Sequence, residues 1–288
     1  MNVKLLSILL MISSSLGAAN VNQLLVDAKK GNAGAQLELG VCYSSGEGVA
    51  KDKAEAVKWF RKAAVQGNDA AQFNLGVCYA NGSGIAEDKT EAVKWFRKAA
   101  EQGNAEAQFN LGVCYSSGEG VNEDETEAFK WHRKAAIQGY AAAQFNLGVF
   151  YANGKGVAED KAEAFKWYRK AAEQGNADAQ CNLGVCYSSG EGVSIDKAES
   201  FKWSRKAARQ GNVAAQCNLG FCYANGEGVA IDKAEAIKWY RRAAEQGYAA
   251  AQEALKSLSP KPRPNFCSEC GTKVQTNAKF CSQCGARL

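Results

Sequence analysis

Residues 68–103 read NDAAQFNLGVCYANGSGIAEDKTEAVKWFRKAAEQG, and close copies of this 36-residue phrase fill most of the chain. Trp95 marks the phrase. Trp59, Trp131, Trp167, Trp203 and Trp239 stand at the same place in the other copies, and Tyr43, Tyr79, Tyr115, Tyr151, Tyr187 and Tyr223 keep the same period. A period of this size signals stacked supersecondary units and takes precedence over local propensity. Six repeats follow, at 32–67, 68–103, 104–139, 140–175, 176–211 and 212–247.

Within the phrase, Ala71, Leu75 and Cys78 fall at i, i+4, i+7, one face of a helix. Asn68 is suited to cap that helix, which runs to about Ala80 and stops at NGSG, where Gly82 and Gly84 supply positive φ. A second helix opens at Asp88 with Glu91 three positions on. This spacing predicts a capping box in which each side chain satisfies a backbone N–H at the helix start. All six copies keep the pair, so these carboxylates read as caps and not as acid/base dyads. Ala92, Trp95 and Ala99 share one face of the second helix, and Gly103 closes it. Gly76 lies mid-helix at a cost of about 1 kcal/mol against alanine, and its recurrence as Gly40, Gly112, Gly148, Gly184 and Gly220 implies a contact with no room for Cβ. The tryptophans read as core between repeats.

The flanks fit the same plan. Residues 20–31 match a second helix and 248–258 a first helix, half-repeats that cover the ends of a stack. Copies one, three and five read CYSSGEG and the others YANG, as duplication of a pair would leave them. The expected fold is all-α, a solenoid of six helix hairpins over 20–258. Residues 1–19 hold Lys4, the apolar run Leu5–Ile12 and then SSSLGAA, the layout of a signal peptide cleaved after Ala18 or Ala19. That run is shorter than the roughly 20 residues a membrane span needs. The expected location is periplasmic or secreted.

These residues carry a resemblance. The pattern A-x-x-x-LG-x-x-Y-x-x-G-x-G, followed by D-x-x-E-A-x-x-W-x-x-KAA, resembles the Sel-one-like repeat, a 36-residue relative of the tetratricopeptide repeat. The resemblance implies a right-handed α/α superhelix that scaffolds protein–protein contacts, in bacteria often in exported proteins. A cysteine-rich branch of that family carries disulfides at the KAA position, yet Ala63, Ala64 and their equivalents leave no cysteine there.

Eleven cysteines divide into seven in the array and four in the tail. Cys42, Cys78, Cys114, Cys186 and Cys222 share one position, where copy four has Phe150, and Cys181 and Cys217 replace a phenylalanine. These are apolar packing sites. The tail differs. SPKPRPN at 259–265 holds all three prolines and reads as a stiff linker. FCSECG and FCSQCG follow, placing Cys267, Cys270, Cys281 and Cys284 as C-x2-C-x10-C-x2-C, a closed four-thiolate set for structural Zn2+. Residues 266–288 resemble a short bacterial zinc ribbon. Iron in the same ligands and a pair of disulfides are the alternatives, and an export leader sits awkwardly with a thiolate site.

The array holds 29 basic and 29 acidic residues, so the net +5 comes from Lys4 and the tail. A neutral array argues against nucleic acid as partner. His132 is the single histidine, in a row that reads Phe60, Phe96, Tyr168, Ser204 and Tyr240 elsewhere. A drifting row is a poor place for a catalytic residue. Ser194-x-x-Lys197 matches the S-x-x-K of penicillin-recognising enzymes, without the companion motifs such a site needs. The better candidate is a row of mid-helix asparagines, Asn74, Asn110, Asn146, Asn182 and Asn218, expected either to hold the backbone of an extended protein partner or to bond neighbouring carbonyls. The expected function is a non-catalytic protein-interaction scaffold. A β-lactamase-like hydrolase and a nucleic-acid-associated zinc-ribbon protein are the rival classes.

Overall fold

The computed structural model describes residues 18–258, 266–267, 269–275 and 278–287. The leader at 1–17 and the Pro-rich linker at 259–265 lie outside the described residues. Fourteen α-helices follow one another: α1 (Ala18–Lys29), α2 (Ala33–Ser45), α3 (Lys53–Val65), α4 (Asp69–Asn81), α5 (Lys89–Glu101), α6 (Ala105–Ser117) and α7 (Glu125–Ile137). The series continues with α8 (Ala141–Asn153), α9 (Lys161–Glu173), α10 (Ala177–Ser189), α11 (Lys197–Arg209), α12 (Val213–Asn225), α13 (Lys233–Glu245) and α14 (Ala249–Leu258). The chain divides into two units, Met1–Ile195 and Asp196–Leu288. In each, every helix packs on its neighbours in sequence. The fold is an all-α solenoid of helix hairpins.

The hairpin follows from its punctuation. Asn68 accepts from the Ala71 N–H at 2.8 Å and starts α4, and Gly82 stops it at φ +61. Asp88 starts α5 by accepting from the Glu91 N–H at 2.9 Å. The predicted capping box is only half made. Glu91 does not return to Asp88; it pairs with Lys94 at 2.8 Å. The Asp88 N–H donates instead to the Tyr79 carbonyl at 3.0 Å. That bond ties the start of the second helix to the end of the first, and it recurs at Asp52, Asp124, Asp160 and Asp232. The recurring spacing of Asp and Glu therefore serves a cap and a surface ion pair.

Two glycine rows set the packing. A Cβ on Gly76 would stand 2.7 Å from the Phe96 ring, and one on Gly148 would stand 2.6 Å from Tyr168. The aromatic row of the second helix thus lies flat on the first helix of its own repeat. Gly84, at φ +76, lies so close to the Lys53 carbonyl that a Cβ would fall 2.1 Å from its oxygen. The loops of the second to sixth repeats accordingly seat on the second helix of the repeat before them.

Trp59, Trp95, Trp131 and Trp167 pack into the apolar clusters between neighbouring helices, as expected. Trp95 clusters with Ala56, Val57, Phe60, Ala63 and Ala64 of α3 and with Leu75 of α4. Trp59, Trp95, Trp131 and Trp203 are buried, and Trp167 and Trp239 half-buried. A cation covers each ring, as Lys98 does over Trp95 at 4.2 Å and Arg242 over Trp239 at 4.5 Å, for about 0.5–1 kcal/mol apiece. Leu39, Leu75, Leu111, Leu147, Leu183 and Leu219 are fully buried, each contributing roughly 1.5–3 kcal/mol. A buried polar ladder runs alongside. Gln72 donates to the Ala64 carbonyl at 3.1 Å and accepts from Gln102 at 2.7 Å. Gln36, Gln108 and Gln144 repeat the arrangement.

Candidate functional site

Each member of the asparagine row stands 14 residues after a member of the aromatic row, so the two rows meet. Asn146 donates toward His132 Nε2 across 3.5 Å, and Asn182 bonds Tyr168. Asn110 faces Phe96's position in the previous repeat, where no polar atom is on offer. It donates to its own helix, to the Glu106 carbonyl at 2.8 Å, and its Oδ1 has no partner. Asn110 is 1% exposed. The expectation that it presents an amide to a partner is therefore corrected: the neighbouring helices cover it. Asn74, Asn146, Asn182 and Asn218 are half-buried, and Asn218 has an interaction of its own.

His132, in the drifting row, lies in the core. It is 1% exposed and wedged on Gly112. Burial lowers its pKa to about 3, so the ring is neutral. Its Nδ1 has no partner. The array thiols are equally inert. Burial raises Cys78, Cys181, Cys186 and Cys222 to about 11 and Cys114 to about 12. None is in a disulfide. Ser194 is exposed, while the Lys197 ammonium is held by Glu227 at 2.6 Å. An ammonium so paired is a poor base for an S-x-x-K site.

Asn74 lines a groove of about 380 Å3 between the first two repeats. Phe60 and Phe73 form its apolar floor, and Lys51, Lys53, Ser44 and Ser83 stand around it.

In the tail, two knuckles repeat one geometry. Phe266 pairs with Lys273 and Phe280 with Arg287 as isolated antiparallel bridges. The Cys267 N–H donates to Thr272 and the Gly271 N–H returns to Cys267, both at 2.8 Å; Cys281, Ala286 and Gly285 copy this at 2.8 and 2.9 Å. Gly271 and Gly285 take φ +69 and +74, as such a turn demands. The four sulfurs lie within 4.8 Å of one another, with Cys267 to Cys284 at 3.5 Å and Cys270 to Cys281 at 3.6 Å. Ligands about 2.3 Å from a tetrahedral ion would lie roughly 3.8 Å apart, so the donor set fits. Cys270 is drawn down to about 6, first by its bond with Thr272. Cys284 stands at about 12: the Ala286 N–H favours its thiolate, and the Cys270 and Cys267 sulfurs beside it outweigh that. Four thiolates this close require a cation to ionise together.

The Sel1 repeat model matches at 33–68, 69–104, 105–140, 141–176, 177–212 and 213–248, and a zinc-ribbon domain model at 266–288. The chain belongs to the Sel1 repeat family. Among solved structures it is similar to c5321, a protective antigen of uropathogenic Escherichia coli strains with an SLR fold, at 38% identity and a TM-score of 0.73. That match covers 83% of this chain and 59% of the E. coli chain, so this chain spans about three fifths of that protein's length. It is also similar to a Sel1 repeat protein from Oxalobacter formigenes, at 35% identity and TM-score 0.71, covering 78% of this chain and 90% of that one. No curated protein matches.

Sequence reasoning missed the glutamine ladder and the pairing of asparagines with the aromatic row. Both signals stand in the sequence as fixed offsets, Gln72 to Gln102 and His132 to Asn146. They become contacts only once the register of the stack is known.

Proposed function

We propose that the chain is a non-catalytic scaffold that holds partner proteins, exported behind the leader at 1–19, with Zn2+ closing the C-terminal ribbon as a structural ion. One observation supports the scaffold reading most. The array's histidine is buried, its thiols are buried or half-buried, and burial holds them neutral, while the groups left outside form a surface that repeats with the helices. Such a stack binds by shape. Its glycine contacts and glutamine ladder fix the surface before a partner arrives, which lowers the ordering cost of association. Asn74, in the groove, is the row member best placed to touch a partner.

The ribbon has about 23 residues and little apolar core, so an ion held by Cys267, Cys270, Cys281 and Cys284 would supply most of its folding energy. With four thiolates around it, that ion has no open position for substrate. Zinc ahead of iron is our assignment, and metal analysis of the natively produced protein, with intact mass for leader cleavage, tests zinc and export together.

Affinity capture with the purified chain, followed by reciprocal binding of the captured protein, tests the scaffold. We expect a saturable partner whose binding survives Ser194→Ala. Nitrocefin turnover that disappears in Ser194→Ala would overturn the non-catalytic reading.

A further inference from the structure

The seam between repeats carries a ladder of ion pairs that the fold does not require. The first residue of each second helix faces the middle residue of the next repeat's G-x-G loop. Lys89 meets Glu119 at 3.3 Å, Lys161 meets Glu191 at 3.4 Å, and Lys197 meets Glu227 at 2.6 Å. Between the third and fourth repeats the charges are exchanged, with Glu125 against Lys155 at 3.0 Å. A reversal that keeps the pair shows that the two positions answer each other. The residue two before the helix adds a second carboxylate at Lys89, from Glu87 at 3.5 Å, and at Lys161, from Glu159 at 3.6 Å.

The first seam breaks this rule twice. Lys53 faces Ser83, and the preceding position is Lys51. Among the described residues neither lysine has an ion-pair partner, and both are exposed. Asp52, between them in sequence, spends its carboxylate on the Ala54 and Glu55 N–H groups, both at 2.9 Å. Glu55 is taken by Lys58 at 2.7 Å. These two cations stand at the groove floored by Phe60 and Phe73, with Asn74, Ser44 and Ser83 at its sides. Two uncompensated ammoniums beside an apolar floor and short hydrogen-bonding side chains call for carboxylates alternating with apolar groups.

The geometry points to an acidic docking site: the first seam binds an extended peptide segment of a partner protein, seating a Glu or Asp carboxylate on Lys51 and Lys53 and an apolar side chain against Val77, the half-buried apolar residue of the groove. The partner's carboxylate supplies what Glu87 and Glu119 supply at the next seam. This rests on the scaffold reading and names the chemistry of its partner.

Fluorescence anisotropy with the purified chain tests it, using a labelled nonapeptide of alternating Glu and Leu and its Gln-for-Glu counterpart. The Glu peptide is expected to bind and to weaken with added salt, and the Gln peptide to bind at least about tenfold less well. Lys51→Ala with Lys53→Ala gives a loss of the same order. Ser83→Glu provides the internal carboxylate found at the other seams, and it is expected to lower affinity similarly while keeping or raising the melting midpoint. Equal binding of both peptides, undiminished affinity in Ser83→Glu, no binding by the wild-type chain, or binding of phosphatidylglycerol vesicles in place of peptide would each overturn the site. Partner capture that persists while the peptide fails sinks this site alone. Loss of all partner capture sinks the scaffold as well.

Discussion

His132 shows how much a single side chain can reveal about this stack. Buried and neutral, it holds a pKa near 3 against an ordinary value of 6.5. Between those values the unfolded chain binds a proton that the folded chain refuses, so stability falls as pH is lowered from about 6.5 toward 3, by at most about 1.4 kcal/mol per pH unit. His132→Phe, which restores the residue of Phe60 and Phe96, is expected to flatten that part of the profile; the check is the denaturation midpoint against pH. A variant with the wild-type slope would mean that other groups dominate acid sensitivity. The row was legible in the sequence as a period, but its burial was not. Phe, His, Tyr and Ser at one position look like a tolerant surface. What they share is a flat or small shape that fits over a glycine, and that becomes visible only with Gly112 beneath the ring. Asn110 misled for the same reason: an amide at mid-helix gives no sign of burial until its neighbour 14 residues back is known.

At the scale of the helix, Asp and Glu at the start of each second helix do separate work. Asp88→Ala removes the cap from α5 and is expected to cost about 0.5–2 kcal/mol. Glu91→Ala removes only an exposed pair with Lys94 and is expected to cost less than about 0.5 kcal/mol. Urea titration of both variants checks the ranking, and equal costs would restore the reciprocal capping box. Gly76→Ala is the complementary case. Alanine gains about 1 kcal/mol in helix propensity, yet its Cβ would stand 2.7 Å from the Phe96 ring, so a net loss of about 1–3 kcal/mol is expected from overpacking. Thermal unfolding reads the sign. Helix limits were legible almost to the residue, because Asn, Asp and Gly act locally. The destination of the Asp88 N–H was not, since it depends on where the preceding helix ends in space.

Across the whole molecule, the two cysteine classes predict separate chemical behaviour. In the native protein at mildly alkaline pH, alkylation is expected at tail cysteines after chelator treatment, while Cys78, Cys114 and Cys186 stay unmodified until the helices unfold. Peptide mapping after timed iodoacetamide treatment checks this, and early labelling of Cys114 would contradict its burial. The helical circular dichroism is expected to survive the chelator, because the described helices end at Leu258, before the four tail cysteines. The division into array and ribbon was legible from spacing alone; the unpaired lysines of the first seam were not, because only the pairs at the other seams make them an exception. All of this depends on seams filled by indole. Acrylamide quenching of tryptophan fluorescence, followed through denaturation, tests that most directly. Poor quenching is expected in the native protein, rising at the same denaturant concentration as the loss of helix. Free access of the quencher to most of the indoles before any helix is lost would contradict it.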